Sequence, residues 1–315
     1  MMQKTTSPSR RRRWLIAFLL VASLLVAAAK KFFDYSAAPA KEKESDFVYP
    51  PNADQTKPTT LVLQFLPPLQ LPFEQVGGYI NDASHLNKTA VYGIVRITTV
   101  QDIQNALQFA RDHKLKVTAA GSRHSMGGQT FVKDGLVLDM RGFNQVRLDK
   151  EHKILNVQTG ATWKQLQLFL DPQGLSVKAM QSINIFTVGG TLSVNAHGIA
   201  HDPGQVAPTV RAFRILLANG EIKNCSPTEN AELFQHALGG YGLMGILLDV
   251  DLEVADNEMY VWKTHYMDYK DFAAYYQKNV DNNPRFGLAY GRLSMSPSTE
   301  KKCRLPWSSP VKIRL

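Results

Sequence analysis

Residues 119–129 read AAGSRHSMGGQ, a stretch in which His124 has almost no bulky neighbours. The strand-like residues LKVTAAG lead into this loop, and GLVLDM leads out of it. Glycine tolerates positive φ and lets the main chain approach another group closely. The stretch therefore predicts a bare turn at a strand end, with one imidazole placed inside it.

Two more glycine loops follow, FTVGGTLSVNAHG at residues 186–198 and GGYGLMG at residues 239–245. A single loop of this kind is explained by a turn that needs positive φ. Three such loops, each between a strand and a helix, offer runs of main-chain N–H groups that can surround a phosphate or a planar ring. Together they predict an elongated ligand.

The rest of the body alternates between strand-like and helical periods, which predicts an α+β fold. The predicted strands are VYGIVRI, LKVTAAG, GLVLDM, ILNVQTG, the hairpin VRAFRILLANG–EIKNC, and ILLDVDLEV. The predicted helices are TTVQDIQNALQFARDHK, TWKQLQLFLDPQG, TLSVNAHG and TENAELFQHAL. In the first helix, Ile103, Leu107 and Ala110 share one face, which we expect to be buried.

The third loop contains a literal GxGxxG formed by Gly240, Gly242 and Gly245. In a nicotinamide-binding Rossmann motif the order is strand, glycine turn, helix, so that the pyrophosphate meets a helix N-terminus. Here the helical ELFQHAL precedes the turn and the strand-like ILLDVDLEV follows it. The inverted order excludes the dinucleotide fingerprint, and with it a simple NAD-dependent dehydrogenase.

The formal net charge of +9 is concentrated at the N-terminus. Residues 1–31 hold seven Lys or Arg and no acidic residue, which leaves 29 basic against 27 acidic residues in the remainder. This balance implies no basic face, so we expect no nucleic-acid partner. The two cysteines are far apart without a CxxC pattern, so we expect no metal site.

Residues 1–33 combine a basic start with the uncharged run WLIAFLLVASLLVAAA at residues 14–29. As a helix this run spans about 24 Å, somewhat short of a hydrocarbon core of about 30 Å. A membrane-anchoring hydrophobic helix and a cleaved signal peptide are both consistent with it. In either case the four arginines favour a cytoplasmic N-terminus and an exported or membrane-anchored body. Residues 34–77, rich in Pro, charge and small side chains, predict a linker.

Seven segments, in order, resemble the FAD-binding (PCMH-type) domain of the vanillyl-alcohol oxidase / p-cresol methylhydroxylase family, with aldonolactone and alditol oxidases nearest. They are INDASHLN, VRITTVQDIQNAL, AAGSRHSMGGQ, GLVLDM, VQTGATWKQL, TVGGTLSVNAHG and LFQHALGGYGLMGILLDVDLEV. The resemblance implies a domain of two α+β subdomains over residues 78–256. It also implies FAD as the cofactor.

The same resemblance implies which residues contact FAD. The first loop contributes Ala120, Gly121, Ser122, Arg123, His124, Ser125, Gly128 and Gln129. The second contributes Thr187, Val188, Gly189, Gly190, Ser193, Asn195 and His197. The third contributes Gly240, Gly242, Gly245 and Ile246. His197 and His201 are alternatively ordinary hydrogen-bonded polar residues.

His124 matches the histidine that many family members join covalently to the 8α carbon of the flavin. A neutral imidazole nitrogen is nucleophilic near neutral pH, so the residue type suits that attachment. Arg123 stands where the family often has glycine in GxGHS. It either pairs with phosphate or signals a different loop geometry with non-covalent flavin.

The resemblance implies oxidation of a CH–OH group of a sugar, sugar lactone or alditol by hydride transfer to flavin N5. Oxygen or an electron-transfer partner would then reoxidise the flavin. Residues 257–299 look like the start of an α+β substrate domain, and residues 300–315, EKKCRLPWSSPVKIRL, form an atypical basic tail. We expect this substrate domain to be truncated, with the catalytic base in the absent part. On that expectation, the alternative function is an FAD-binding fragment without turnover, or one that needs a second polypeptide.

Overall fold

The computed structural model describes residues 71–281 and 283–291, and it describes the main chain of residues 304–313. The predicted leader, residues 1–33, and most of the predicted linker lie outside the described residues. Among the described residues, no helix is both long and apolar enough to cross a membrane.

The first sheet is built around three parallel strands. Its strands are β1 (Phe73–Val76), β4 (Gly93–Arg96), β5 (Val117–Ala120) and β6 (Leu136–Asp139), in the order β1-β4-β6-β5. Strands β4, β5 and β6 run parallel, and β1 pairs with β4 in the antiparallel direction. Two short strands, β2 (Tyr79–Ile80) and β3 (Thr89–Ala90), pair with each other between β1 and β4.

Helix α1 (Val100–Asp112) connects β4 to β5 and covers the first sheet. It starts at a capping box, because the Thr99 side chain accepts from the Asp102 N–H while the Asp102 carboxylate accepts from the Thr99 N–H. Ile103, Leu107 and Ala110 are buried, which confirms the face that the sequence predicted.

The second sheet is antiparallel throughout. Its strands are β7 (Val146–Asp149), β8 (Ile154–Gln158), β9 (Leu175–Val177), β10 (Val210–Leu216), β11 (Ile222–Cys225) and β12 (Ile246–Asp256). They follow the order β11-β10-β12-β8-β7, and β9 pairs with the end of β12. The predicted hairpin is confirmed: β10 and β11 pair from Leu216↔Ile222 outward, and Gly220 adopts a φ of +89° in the turn.

Three short helices belong to the second sheet: α2 (Trp163–Leu170), α3 (Val188–Ser193) and α4 (Ala231–Ala237). Trp163, Leu166 and Leu170 of α2 have no exposed surface and lie in the core of this sheet. The cores of the two sheets meet, since Leu216 and Leu248 pack with residues of the first sheet. The mixed α/β architecture expected from the sequence is therefore present.

A third sheet follows, formed by β13 (Met259–Asp268), β14 (Tyr290–Gly291) and β15 (Arg304–Ile313), with α5 (Tyr269–Asn279) between β13 and β14. Strand β15 pairs along β13 in an antiparallel register from Met259↔Ile313 to Asp268↔Arg304. Successive side chains of β13, Met259 to Trp262, are exposed, so both faces of this end of the strand are accessible.

Three predictions differ from the structure. The short helix predicted over residues 191–198 is instead Val188–Ser193, because Thr187 is extended and Asn195 adopts a φ of +43° after the helix has ended. Residues 73–76, predicted as linker, form β1. Residues 304–313, within the predicted atypical basic tail, pair as a strand, which the sequence analysis did not predict.

Candidate functional site

The first glycine loop leaves the carboxyl edge of the parallel strands. Ala120 ends β5 and pairs in register with Asp139, which ends β6, and Arg96 at the end of β4 lies opposite Asp139 on the other side. In open sheets with parallel strands, ligands bind outside the carboxyl ends of the strands. The fold therefore places the loop where the topology favours a binding site.

The first loop contacts the start of the second loop and Ile185, the residue just before it. The Ser122 hydroxyl donates to the Ile185 carbonyl over 2.7 Å, and the ring centroids of His124 and Phe186 lie 4.7 Å apart at 60°. A Cβ on Gly121 would lie 2.0 Å from the Thr187 hydroxyl oxygen, closer than any two such atoms approach. Glycine at residue 121 is thus required by packing between the loops.

Arg123 has the backbone conformation of a glycine and a buried side chain. Its φ is +56°, and the residue is 6% exposed. Its Nη2 lies 3.6 Å from Oδ2 of Asp139 at the end of β6. The guanidinium is thus buried against the end of β6 while the backbone keeps a left-handed turn, and the two alternatives for this residue, phosphate pairing and altered loop geometry, both stay predictions.

The segment 81–87 supports the first loop from another side, although the sequence analysis did not place it in the site. The Asn87 amide donates to the Asp82 carboxylate over 2.6 Å and to the Met126 carbonyl over 2.9 Å. The Ala83 N–H donates to the Arg123 carbonyl over 3.0 Å. Asp82 has no exposed surface, and a buried carboxylate is unusual without such partners. The motif INDASHLN was the available signal.

The start of α3 is held by the loop that precedes α2. The N–H groups of Val188 and Gly189 donate to the carbonyls of Ala161 and Thr159, each over 2.8 Å. Val188 has no exposed surface. Both its N–H and its side chain are therefore used within the protein, and its cofactor contact stays a prediction.

The end of α3 contacts the third glycine loop. The Gly239 N–H donates to the Leu192 carbonyl over 2.9 Å, and the Tyr241 N–H donates to the Ser193 carbonyl over 2.8 Å. The Ser193 hydroxyl donates to Gly189 within α3 over 2.8 Å. The second loop is therefore joined to the first at its start and to the third at its end.

Two residues predicted near this row have visible partners of their own. The Asn195 side chain accepts from the Ala207 N–H over 3.1 Å and donates to Gln205 over 3.1 Å, which fixes the chain after α3. His197 is exposed and pairs through an isolated bridge with Gln205. Whether His197 contacts the cofactor or is an ordinary polar residue stays a prediction.

The third loop confirms the order that excluded a Rossmann motif, since α4 precedes it and β12 follows it. Gly242 adopts a φ of +75°, and a Cβ added to it would have nothing within 4 Å. A Cβ on Gly245 would instead lie 2.6 Å from the Leu216 carbonyl oxygen. Ile246 then pairs with Leu216 at the start of β12. Gly245 and Ile246 pack against the second sheet. A Cβ on Gly240 would lie 2.1 Å from the His236 carbonyl oxygen at the end of α4, whereas Gly242 is exposed.

The structure also contains a cavity of about 860 Å³ beside the second loop. Gln181, His201, Glu253, Tyr260 and Leu288 are among its lining residues, and none of the predicted cofactor residues lines it. Burial, and then the neighbouring Glu258 carboxylate, raise the pKa of the Tyr260 phenol. This phenol consequently stays protonated as a hydrogen-bond donor at neutral pH.

Within the described part of the chain, no cluster of three or more His, Cys, Asp or Glu could hold a metal ion. The three joined loops form a row rich in small residues, a composition that lets a nucleotide approach the main chain. The half-buried ring of His124 stands beside Phe186 at the start of that row. These residues fit a long phosphorylated ligand with a planar ring at the His124 end.

Comparison with known proteins identifies the class of domain that this fold and these loops define. Residues 91–226 match the family model of the FAD binding domain. The chain therefore carries an FAD-binding domain of the PCMH type, and FAD is its cofactor.

The chain matches only part of the length of each individual relative. The chain is 32% identical over 165 residues to a putative D-arabinono-1,4-lactone oxidase of Neurospora crassa, covering 52% of this chain and 30% of the relative. It is 32% identical over 157 residues to L-gulonolactone oxidase of Bos taurus, covering 50% and 36%. It is 29% identical over 240 residues to cytokinin dehydrogenase 2 of Arabidopsis thaliana, covering 74% and 48%. The chain spans less than half the length of each of these three relatives.

Proposed function

We propose that this chain acts as an FAD-dependent oxidoreductase on a CH–OH group of a sugar lactone, sugar or alditol. The observation that carries the proposal is the row of three joined glycine loops, which starts with the first loop at the carboxyl edge of the first sheet and continues along the second sheet. The Ser122–Ile185 and Tyr241–Ser193 hydrogen bonds join the loops in that row. The relatives named as lactone oxidases support the substrate class.

Bound FAD would supply a hydride acceptor at flavin N5. The first loop, with its small residues Gly121 to Gly128, would accommodate the pyrophosphate through main-chain N–H groups, and Phe186 would flank the ring beside His124. Gly240 and Gly242 would approach the far end of the nucleotide. Among the described residues we assign none as the general base.

His124 is proposed as the residue that attaches FAD covalently. Its ring is half-buried in the first loop and lies 4.7 Å from the Phe186 ring, a place where a planar cofactor would meet the imidazole. Acid precipitation of the purified protein tests this proposal: a covalent flavin stays with the pellet, and His124→Ala should release it. Flavin that leaves the wild-type protein in acid would show non-covalent binding.

Substrate class is tested by bleaching of the flavin absorbance under anaerobic conditions. Aldonolactones and alditols should bleach the bound flavin, and the matching aldonic acids serve as controls that lack the lactone ring. Bleaching by neither lactones nor alditols would contradict the proposed substrate class. Where a substrate does bleach the flavin, reoxidation by air would indicate oxygen as the acceptor. Reoxidation only by an added dye would indicate an electron-transfer partner.

A second candidate is an FAD-binding unit that needs further residues for turnover. The exposed end of β13 favours it, because Met259 and Trp262 are 67% and 50% exposed on a strand that is otherwise rich in aromatic residues. Exposed apolar surface of this kind is typical of an interface. Flavin that binds but is bleached by no substrate supports this candidate.

Localisation is proposed from the leader alone. Residues 1–33 favour an exported or membrane-anchored body through the four arginines before an apolar run. Fractionation of cells that express the full chain, with and without residues 1–33, tests this. A body that stays in the cytoplasm with the leader present would contradict it.

A further inference from the structure

Arg123 carries two unfavourable features at one residue. Its φ of +56° is a conformation that side-chain-bearing residues rarely adopt, and its guanidinium is 4% exposed. A buried charge requires a partner, which Asp139 provides at 3.6 Å with a side chain only 3% exposed. Such a combination persists only where its surroundings determine it strongly, and it concentrates at functional sites.

The two neighbours of Arg123 contact a different part of the molecule. Ser122 donates to the Ile185 carbonyl, and the His124 ring lies against the Phe186 ring, so both contact the second loop. Arg123 instead reaches the end of β6, where Asp139 is located. Since the three residues are consecutive, a shift of the Arg123 backbone moves the His124 imidazole with it.

Asp139 also holds a second arginine, which lies outside the loop. The Arg141 Nε donates to Oδ1 over 2.9 Å and its Nη2 to Oδ2 over 2.5 Å, with the side chain 38% exposed. Arg141 therefore shares the carboxylate from a residue outside the first loop. It is the matched control for the loss of one arginine from Asp139.

We propose that the Arg123–Asp139 ion pair positions the first loop so that His124 is held in place for the flavin ring. Both residues act through the loop and are positioning residues. The inference rests on the proposed function, because it concerns the same cofactor site. Without the pair, the loop populates other arrangements. The apparent affinity for FAD then falls in proportion to the fraction of molecules whose loop can still bind it.

The test uses the full-length chain prepared without flavin, titrated with FAD and followed by flavin fluorescence. Arg123→Gln and Asp139→Asn should each weaken FAD binding about tenfold, and the double variant should match either single variant, because residues that act as one unit are not additive. Arg141→Gln should stay within about twofold. Arg123→Lys should recover part of the affinity, since it keeps the charge but loses the guanidinium fork.

Two further readouts separate positioning from loss of structure. The visible absorption bands of the bound flavin depend on the surroundings of its ring. They should therefore shift in Arg123→Gln and Asp139→Asn but not in Arg141→Gln. Without FAD, hydrogen exchange in residues 121–128 should accelerate in the same two variants. A thermal melt identifies any variant that does not fold. If Arg123→Gln does not fold, Arg123→Lys takes its place in these measurements.

Wild-type affinity, spectrum and exchange in Arg123→Gln would overturn the inference, as would additive losses of about a hundredfold in the double variant. A wild-type chain that binds no FAD would overturn the proposed function itself. In that case the exchange data still show whether the ion pair orders the loop, so the two failures are distinguishable.

Discussion

The Ser122 hydroxyl donates a hydrogen bond to the Ile185 carbonyl oxygen over 2.7 Å, although 63 residues separate the two in sequence. This bond joins the first glycine loop, on the parallel sheet, to the second, on the antiparallel sheet. The candidate cofactor site therefore depends on the docking of two separate sheets.

Removing this hydroxyl should weaken the cofactor site more than the fold. We expect Ser122→Ala to lower the free energy of unfolding by about 1 kcal/mol, the usual net value of one hydrogen bond. FAD affinity should fall several-fold, because the loops lose a fixed spacing. Chemical denaturation and FAD titration measure the two effects.

Ser226→Ala is the control, since the Ser226 hydroxyl accepts N–H groups of Thr228 and Glu229 in a turn away from the three glycine loops. It should lower stability to a similar extent and leave FAD affinity unchanged. Equal FAD binding by both variants would contradict the role of Ser122.

A methyl group at residue 121 should force the two loops apart. In Gly121→Ala the new Cβ meets the Thr187 hydroxyl oxygen at 2.0 Å, so one loop must move, at a cost of about 1–3 kcal/mol. Thr187→Gly in the same chain should restore much of the lost stability by removing the obstructing side chain. Thermal melts of the single and double variants measure this.

Gly174→Ala provides the comparison, because Gly174 has a φ of +72° and nothing within 4 Å of the added Cβ. It should cost about 1 kcal/mol from backbone strain alone, and Thr187→Gly should not rescue it. Rescue of both variants would indicate that Thr187→Gly stabilises the chain for another reason.

Trp163 should be the more costly of two tryptophans to replace. Its indole N–H donates to the Thr191 hydroxyl over 2.8 Å, and the side chain has no exposed surface. Trp163→Phe leaves a cavity and removes the buried donor, so we expect a loss of about 2–4 kcal/mol. Trp262→Phe, at a residue that is 50% exposed, should change stability by about 0.5 kcal/mol or less. Urea unfolding measures the free energy of unfolding of both variants. Equal losses would contradict the expected effect of the burial of Trp163.

Acid should weaken the start of α1 through Asp102. Burial alone would raise the pKa of this carboxyl, but the hydrogen bonds from Thr98 and Thr99 outweigh it and lower the pKa. A carboxyl with a lowered pKa stabilises the fold above its unfolded pKa of about 3.9. That stability is lost as the pH falls through the folded pKa.

Unfolding in urea at pH 6 and at pH 3 measures this effect. Asp102→Asn should reduce the difference in stability between the two pH values, whereas Asp112→Asn, at the other end of α1, should leave the difference as in the wild type. An unchanged difference in Asp102→Asn would contradict the contribution of this carboxylate.

Most regular elements were predictable because their signals are local. Helix α1 needed only a capping residue and an apolar face, and the β10–β11 hairpin needed only its Asn-Gly turn. Helix α3 was misplaced by three residues, since the signal that starts it is the packing of Val188 against Ala161 rather than a capping side chain. Strand β1 was assigned to the linker because its partner, β4, lies about twenty residues further along the chain.

For the candidate site, the sequence identified the three loops, the single imidazole and the inverted glycine motif. Those features follow from residue type and order: glycine permits a bare turn, and strand order along the chain decides whether a Rossmann motif is possible. The tertiary structure alone decided that Arg123 points inward to Asp139, that Val188 is buried, and that Asn87 supports the first loop. Each of these depends on which distant residues meet when the two sheets pack, and side-chain direction is settled by those contacts rather than by local pattern.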